Sequence, residues 1–160
     1  MTTLESRKMN EYFYSEIMMD MTWNIDPGAV MSRFFELLQQ ERRLYGVKCP
    51  KCGRVYLPPR LVCGDCWVEM SEWVPLANKG RVVAKTACYY TLLNNDTGER
   101  RPTPFVLALI QLNGADTTFN HFVETDDPAL VEIGKEVEIV FQENLKGEMS
   151  DIRHFQLTDG

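Results

Sequence analysis

Histidine is scarce in this chain, two residues in 160, and the motifs around which many enzymes are built are missing. The sequence has no Gly-rich phosphate loop, no Gly-x-Ser-x-Gly nucleophile turn and no His-Glu-x-x-His pair. His121 and His154 stand alone, with no motif around either, so both read as structural or surface histidines. The carboxylates fall in turns and on strand faces, where solvation accounts for them. Nothing assembles a nucleophile, a base and an oxyanion hole, so the chain by itself does not read as a catalyst. There is no run of about 18 apolar residues to cross a membrane. The opening stretch MTTLESRKMNEYFYSE is polar and carries acids, unlike a secretory signal. A cytoplasmic protein is therefore expected. There is no internal repeat and no low-complexity segment.

Cysteine is also sparse, but it is concentrated. Four of the five cysteines fall in CPKCGRVYLPPRLVCGDC, residues 49–66. In a reducing compartment such a group points to a metal rather than to disulfides. Each Cys-x-x-Cys places two thiolates on one tight turn, and two such turns complete a tetrahedron of sulfur. Cys49 and Cys52 form one knuckle, Cys63 and Cys66 the other, and the ten residues between them are enough for a short hairpin. Gly53 and Gly64 suit knuckle backbones that need positive φ or close approach to sulfur. Pro58-Pro59 stiffens the connector. Four thiolates leave no open coordination position, so the site is structural. Zinc is the default ion, with iron in a rubredoxin-like site as the alternative. Cys88, on a predicted strand, reads as a small buried apolar residue.

Charge is uneven. The chain carries a net −6, yet residues 42–101 hold 11 basic and 5 acidic side chains, while residues 124–160 hold 3 basic and 10 acidic. Lys48, Lys51, Arg54 and Arg60 crowd the cysteine region. They either offset the −2 charge of a zinc tetrathiolate or face an anionic ligand.

The periodicity predicts a helix over residues 4–21, with Met9, Tyr12, Phe13, Ile17 and Met21 near helical spacing. The segment reads either as a helix packed on its own domain or as an arm docked on another protein, and apolar groups running almost all round would demand burial on two sides. A second helix is predicted with Asp26 as cap, Pro27 at the first position, an apolar face of Val30, Phe34, Leu37, Leu38, Leu44 and Tyr45, and Gly46 as terminator. Beyond the cysteines the period becomes two. Strands are expected at 80–93, 104–112, 117–124, 135–143 and 151–157, with a helical turn capped by Asp127 before the fourth. Five strands with that insertion suggest a closed barrel of the oligonucleotide/oligosaccharide-binding (OB) type. The expected architecture is thus mainly β with N-terminal helices: a helical arm over residues 1–45, a zinc ribbon over 46–75 and a five-stranded OB-fold domain over 76–160.

The runs FFELLQQERRLYGVKCPKCGRVYLPPRLVCGDC, WVPLANKGRVVAKTACYYTL, PFVLALIQL and DPALVEIGKEVEIVF closely resemble a bacterial and archaeal family of OB-fold proteins carrying a rubredoxin-like zinc ribbon, long filed as a domain of unknown function. The resemblance covers about residues 30–157, with Pro58-Pro59-Arg60 between the knuckles its most specific part. It carries the family's metal ligands onto Cys49, Cys52, Cys63 and Cys66. It implies a small non-catalytic, zinc-binding subunit that completes a thiolase-type enzyme acting on acyl-CoA. The catalytic residues would then lie on the partner chain, with Lys51, Arg54 and Arg60 as candidate contacts to CoA phosphates near the interface. The arm before Asp26 goes beyond the family's minimal pattern and resembles thiolase small subunits acting on benzoylsuccinyl-CoA in anaerobic toluene degradation. The competing reading is a nucleic-acid-binding module, since zinc ribbons and OB folds both serve that purpose. A pI near 5.0 and the lack of a Lys/Arg stripe interleaved with aromatics speak against it, and Tyr89-Tyr90 is a weak stacking platform. An iron electron carrier is the third possibility.

Overall fold

A computed structural model describes residues 7–9, 12–14, 26–92 and 98–158. The helix expected over 4–21 is not what the described residues form. Strand β1 (Arg7–Met9) pairs antiparallel with β2 (Tyr12–Tyr14), Lys8 opposite Phe13. Aromatic residues in a row favour a pleated backbone, and here that preference outweighs the loose helical spacing. The argument for two-sided burial of an arm helix lapses with it. The other residues before Asp26 lie outside the described residues.

Helix α1 (Gly28–Glu41) follows. Pro27 is its cap residue, one position later than expected, and Asp26 Oδ1 accepts the Gly28 N–H at 2.9 Å. Phe34, Leu37 and Leu38 are its buried face. Its end is not Gly46 but Arg42, which takes the left-handed conformation (φ 52°) and donates its N–H to Leu38 O. Leu44 and Tyr45 therefore lie beyond the helix. Gly46 serves a different need within β3 (Tyr45–Lys48), where a Cβ would meet Val55 Cγ1 at 2.6 Å and Tyr56 O at 3.1 Å.

Strand β3 is the centre of a three-stranded antiparallel sheet, flanked by β4 (Val55–Tyr56) and β5 (Glu72–Pro75). The next five strands are β6 (Lys79–Cys88), β7 (Phe105–Leu112), β8 (Phe119–Glu124), β9 (Glu136–Phe141) and β10 (Ile152–Leu157). They close a barrel in the order β10-β8-β7-β6-β9, in which β8 and β10 pair in parallel. This is the expected OB barrel, and the alternation that predicted it is visible in β9. Val137 and Ile139 are buried, Phe141 is half-buried, and Glu136 is exposed. A 3-10 turn, Pro128–Leu130, sits between β8 and β9, with Asp127 Oδ1 accepting the Ala129 N–H at 2.9 Å. A second, Met149–Asp151, precedes β10.

One apolar core joins these parts. Phe34 and Leu38 from α1, Leu57 and Leu76 from the ribbon region, and Val106, Ile110, Phe119, Val137 and Phe155 from the barrel form a single buried cluster. The small sheet is also latched to the barrel by hydrogen bonds. Val55 N–H donates to Asp116 Oδ2 at 2.8 Å and Asp116 N–H to Val55 O at 2.9 Å. Thr117 Oγ1 accepts from Leu57 N at 2.7 Å and donates to Leu57 O at 2.8 Å. None of the helices described is long and apolar enough to cross a membrane.

Candidate metal centre

The first knuckle leaves β3 and returns into β4. Cys49 N–H donates to Arg54 O at 2.8 Å, Gly53 N–H donates to Cys49 O at 2.9 Å, and Gly53 has φ 76°. The second knuckle repeats this geometry with different residues. Cys63 N–H donates to Val68 O at 3.0 Å and Trp67 N–H to Cys63 O at 3.0 Å. The left-handed position is occupied by Trp67, φ 56°. Gly64 does not take it. Its φ is not positive, and a Cβ there would meet only Tyr56 Oη at 3.8 Å, so the sequence expectation for Gly64 is corrected: the equivalent of Gly53 is the residue after Cys66.

The two turns bring Cys49, Cys52, Cys63 and Cys66 together, with all four Sγ atoms within 4.8 Å of one another. A tetrahedron of zinc–sulfur bonds of about 2.3 Å has sulfur–sulfur edges of about 3.8 Å. Cys52 Sγ and Cys63 Sγ are 3.8 Å apart. Cys49 and Cys63 are buried while Cys52 is exposed, so an ion would be held at the rim of the small second core of Val47, Tyr56 and Met70. Cys52 N–H points to Cys49 Sγ at 3.5 Å. The donor set fits a soft or borderline metal ion and supplies every ligand of a closed site.

Tyr56 is a supporting residue that the sequence did not reveal. Its hydroxyl is hydrogen-bonded to Cys63 Sγ at 3.4 Å. That bond, ahead of opposing burial, holds the Cys63 thiol down to about 6. The same bond raises the Tyr56 hydroxyl. Burial, followed by its three cysteine neighbours, pushes the Cys66 thiol up to about 12. A coordinated dication would override this inequality, because a ligating thiol is deprotonated outright. The one signal for Tyr56 was an aromatic residue inside the connector between two knuckles.

The basic residues near the knuckles are only partly available. Arg54 pairs with Asp65, and Lys48 Nζ lies 3.4 Å from Glu72 Oε1. Arg60 lies over the Tyr56 ring, 5.5 Å from its centroid. Lys51 is exposed and has no ion pair among the described residues. Cys88 is buried at the end of β6, as expected, away from the four-sulfur group.

Residues 40–71 match a family described as the ChsH2 rubredoxin-like zinc ribbon domain, and residues 73–142 one described as the ChsH2 C-terminal OB-fold domain. A DUF35 domain-containing scaffold protein of Methanothermobacter thermautotrophicus is 32% identical over 112 residues, covering 69% of this chain and 80% of that protein. The chain belongs to the DUF35 family. The benzoylsuccinyl-CoA thiolase subunit BbsA of Thauera aromatica is 33% identical over 70 residues, 43% of this chain and 44% of that subunit. Among solved structures, the Ltp2-ChsH2(DUF35) aldolase shares the fold with a TM-score of 0.56 at 22% identity, over 79% of this chain and 91% of that one. The DUF35 ribbon and barrel account for both sequence motifs: the paired knuckles and the five alternating strands.

Proposed function

We propose that this chain is a non-catalytic accessory subunit, stabilised by structural zinc, that docks on a thiolase-type enzyme acting on acyl-CoA. The observation that carries the reading is the closed four-thiolate group of Cys49, Cys52, Cys63 and Cys66 fused through one core to an OB barrel. Such a centre contributes folding free energy and presents no open position for chemistry. Similarity to a scaffold protein and to a thiolase subunit supports the assignment to an enzyme complex. The benzoylsuccinyl-CoA thiolase subunits supply the substrate class, a CoA thioester cleaved by the partner chain. Benzoylsuccinyl-CoA is the first substrate to offer an assembled complex. Lys51 and Arg60 are the ribbon cations available to CoA phosphates, with Arg54 shared with Asp65.

The decisive experiment is affinity purification of the chain at native abundance from its own host, with mass spectrometry of what accompanies it. A thiolase-fold protein in stoichiometric amount, whose activity with a CoA thioester falls when this chain is removed, is the expected result. Recovery of the chain with nucleic acid and no such protein would overturn the reading. Metal analysis of the same sample should find one zinc per chain. Stoichiometric iron with a visible charge-transfer band would replace zinc by a rubredoxin-type centre.

A further inference from the structure

Between β6 and β7, Arg101 N–H donates to Leu92 O at 2.8 Å. Beside that tie a cleft of about 690 Å³ opens on the barrel, within the size range of sites that enclose a whole small ligand. Glu99, Arg100 and Arg101 reach it from the connection, and Arg153 and His154 from β10. They meet because β8 and β10 run in parallel, Val123 beside Phe155, which carries the start of β10 to the side of Phe122 and Glu124.

The three arginines are held differently. The Arg101 guanidinium lies 3.8 Å over the Phe122 ring centre and 3.6 Å from Glu124, and its side chain is only 28% exposed. It is a built part of the cleft. Arg100 and Arg153 are exposed and carry no ion pair among the described residues. These two guanidiniums, on separate walls and without an ion pair among the described residues, face the same space, which the carboxylates of Glu99 and Glu124 also line. A guanidinium fork matches phosphate oxygens with two parallel hydrogen bonds. A lone carboxylate would satisfy one fork and leave the other. Leu92, Pro102 and the free part of Phe122 supply apolar lining, which a purely inorganic anion would leave wet. OB barrels present ligands on the face of their second and third strands and on the loop between the first and second. Of those parts, the third strand, here β8 (Phe122 and Glu124), and the β6–β7 connection line the cleft, and β10 forms its other wall.

We infer that this cleft binds a phosphorylated organic molecule of about nucleoside-diphosphate size, its phosphates held by Arg100 and Arg153 and its carbon part laid on Leu92, Pro102 and Phe122. Arg101, fixed by Phe122 and Glu124, closes the phosphate end. The site is separate from the ribbon cations and needs no partner chain, so it stands or falls independently of the docking reading.

The test is calorimetric titration of the zinc-loaded full chain with adenosine diphosphate at low salt. Saturable binding of one molecule per chain is expected. Arg100→Ser and Arg153→Ser should each weaken it about tenfold, the loss of a charge-assisted hydrogen bond. Arg33→Ser, on helix α1 and outside the cleft, should leave it unchanged, and inorganic pyrophosphate should bind several-fold more weakly than the nucleotide. Both cleft substitutions are at exposed positions, and unchanged zinc content and circular dichroism will show that the variants fold. No saturable binding, undiminished binding in the Arg100→Ser/Arg153→Ser double variant, equal affinity for pyrophosphate, or preference for a single-stranded oligonucleotide over the nucleotide would each overturn the inference.

Discussion

Trp67 occupies in the second knuckle the left-handed position that Gly53 holds in the first, although its indole is 82% exposed. A side chain with a Cβ pays for φ near +60° with about 1 kcal/mol or more, and so little burial returns almost nothing. Trp67→Gly is therefore expected to raise the unfolding free energy of the zinc-loaded protein by about 1 kcal/mol, and Gly53→Ala to lower it by about as much. Denaturant titration of the two variants checks both signs. His121 makes a second prediction at this scale. It stacks on Phe119, ring centres 5.7 Å apart, and sits edge-on to Phe122. Its buried Nδ1 has no hydrogen-bond partner. Burial first, then the charges of Arg101 and His154, push its pKa from 6.5 down to about 4. The unfolded chain thus takes up this proton before the folded one. The stability tied to neutral His121 is complete above pH 6.5 and drains away as the pH falls towards 4. Between pH 7.5 and 5 the loss should be about 2 kcal/mol. In His121→Phe that part of the pH dependence should vanish from the urea midpoints.

At the scale of elements, the ribbon and the helix depend on different forces. Strands β3, β4 and β5 are short, and β4 has only two residues. A sheet this small needs a staple, and the four-sulfur centre is positioned to be one. Cys52→Ser is expected to reduce bound zinc well below one per chain. Hydrogen exchange should then accelerate at Val47, Val55 and Tyr56, while the amides of β7 keep their protection. Equal acceleration in β7 would mean that the barrel also depends on the metal. Helix α1 is held by side-chain burial instead. Phe34 and Leu38 are fully buried against the barrel, and Phe34→Ala should cost about 4 kcal/mol, read as a lower denaturation midpoint with zinc content unchanged.

For the whole molecule the decisive feature is that ribbon and barrel do not hang on a flexible link. Leu57 and Leu76 enter the same core as Ile110 and Phe155, and Asp116 and Thr117 latch β4 and Leu57 to the barrel. A partner would meet one surface made of both. Thr117→Val keeps the shape and removes the hydroxyl, leaving Leu57 N–H and O unpaired. A loss of about 1 to 2 kcal/mol is expected, with faster exchange at the Leu57 amide as its local signature. Affinity for the co-purified enzyme should fall with it if docking uses both parts.

What the sequence determined by itself was everything encoded at short range. Cys49, Cys52, Cys63 and Cys66 declare their geometry through spacing, because a Cys-x-x-Cys turn brings two sulfurs together whatever surrounds it. The barrel strands declare themselves through alternation, as in Val137, Ile139 and Phe141, because one face of each must be buried. Asp127 and Pro128 mark their turn for equally local reasons. What remained for the tertiary structure was decided by neighbours distant in the chain. Gly46 is a point of contact with Val55 and Tyr56 rather than a helix stop. Arg54 spends its charge on Asp65. The left-handed position of the second knuckle falls on Trp67, and the residues Tyr12–Tyr14 pair with Arg7–Met9 where spacing suggested a helix. Arg100 and Arg153 share a cleft because β8 and β10 are parallel neighbours. Charge pairing, close backbone approach and clefts are properties of three-dimensional proximity, and only the closing of the barrel creates that proximity.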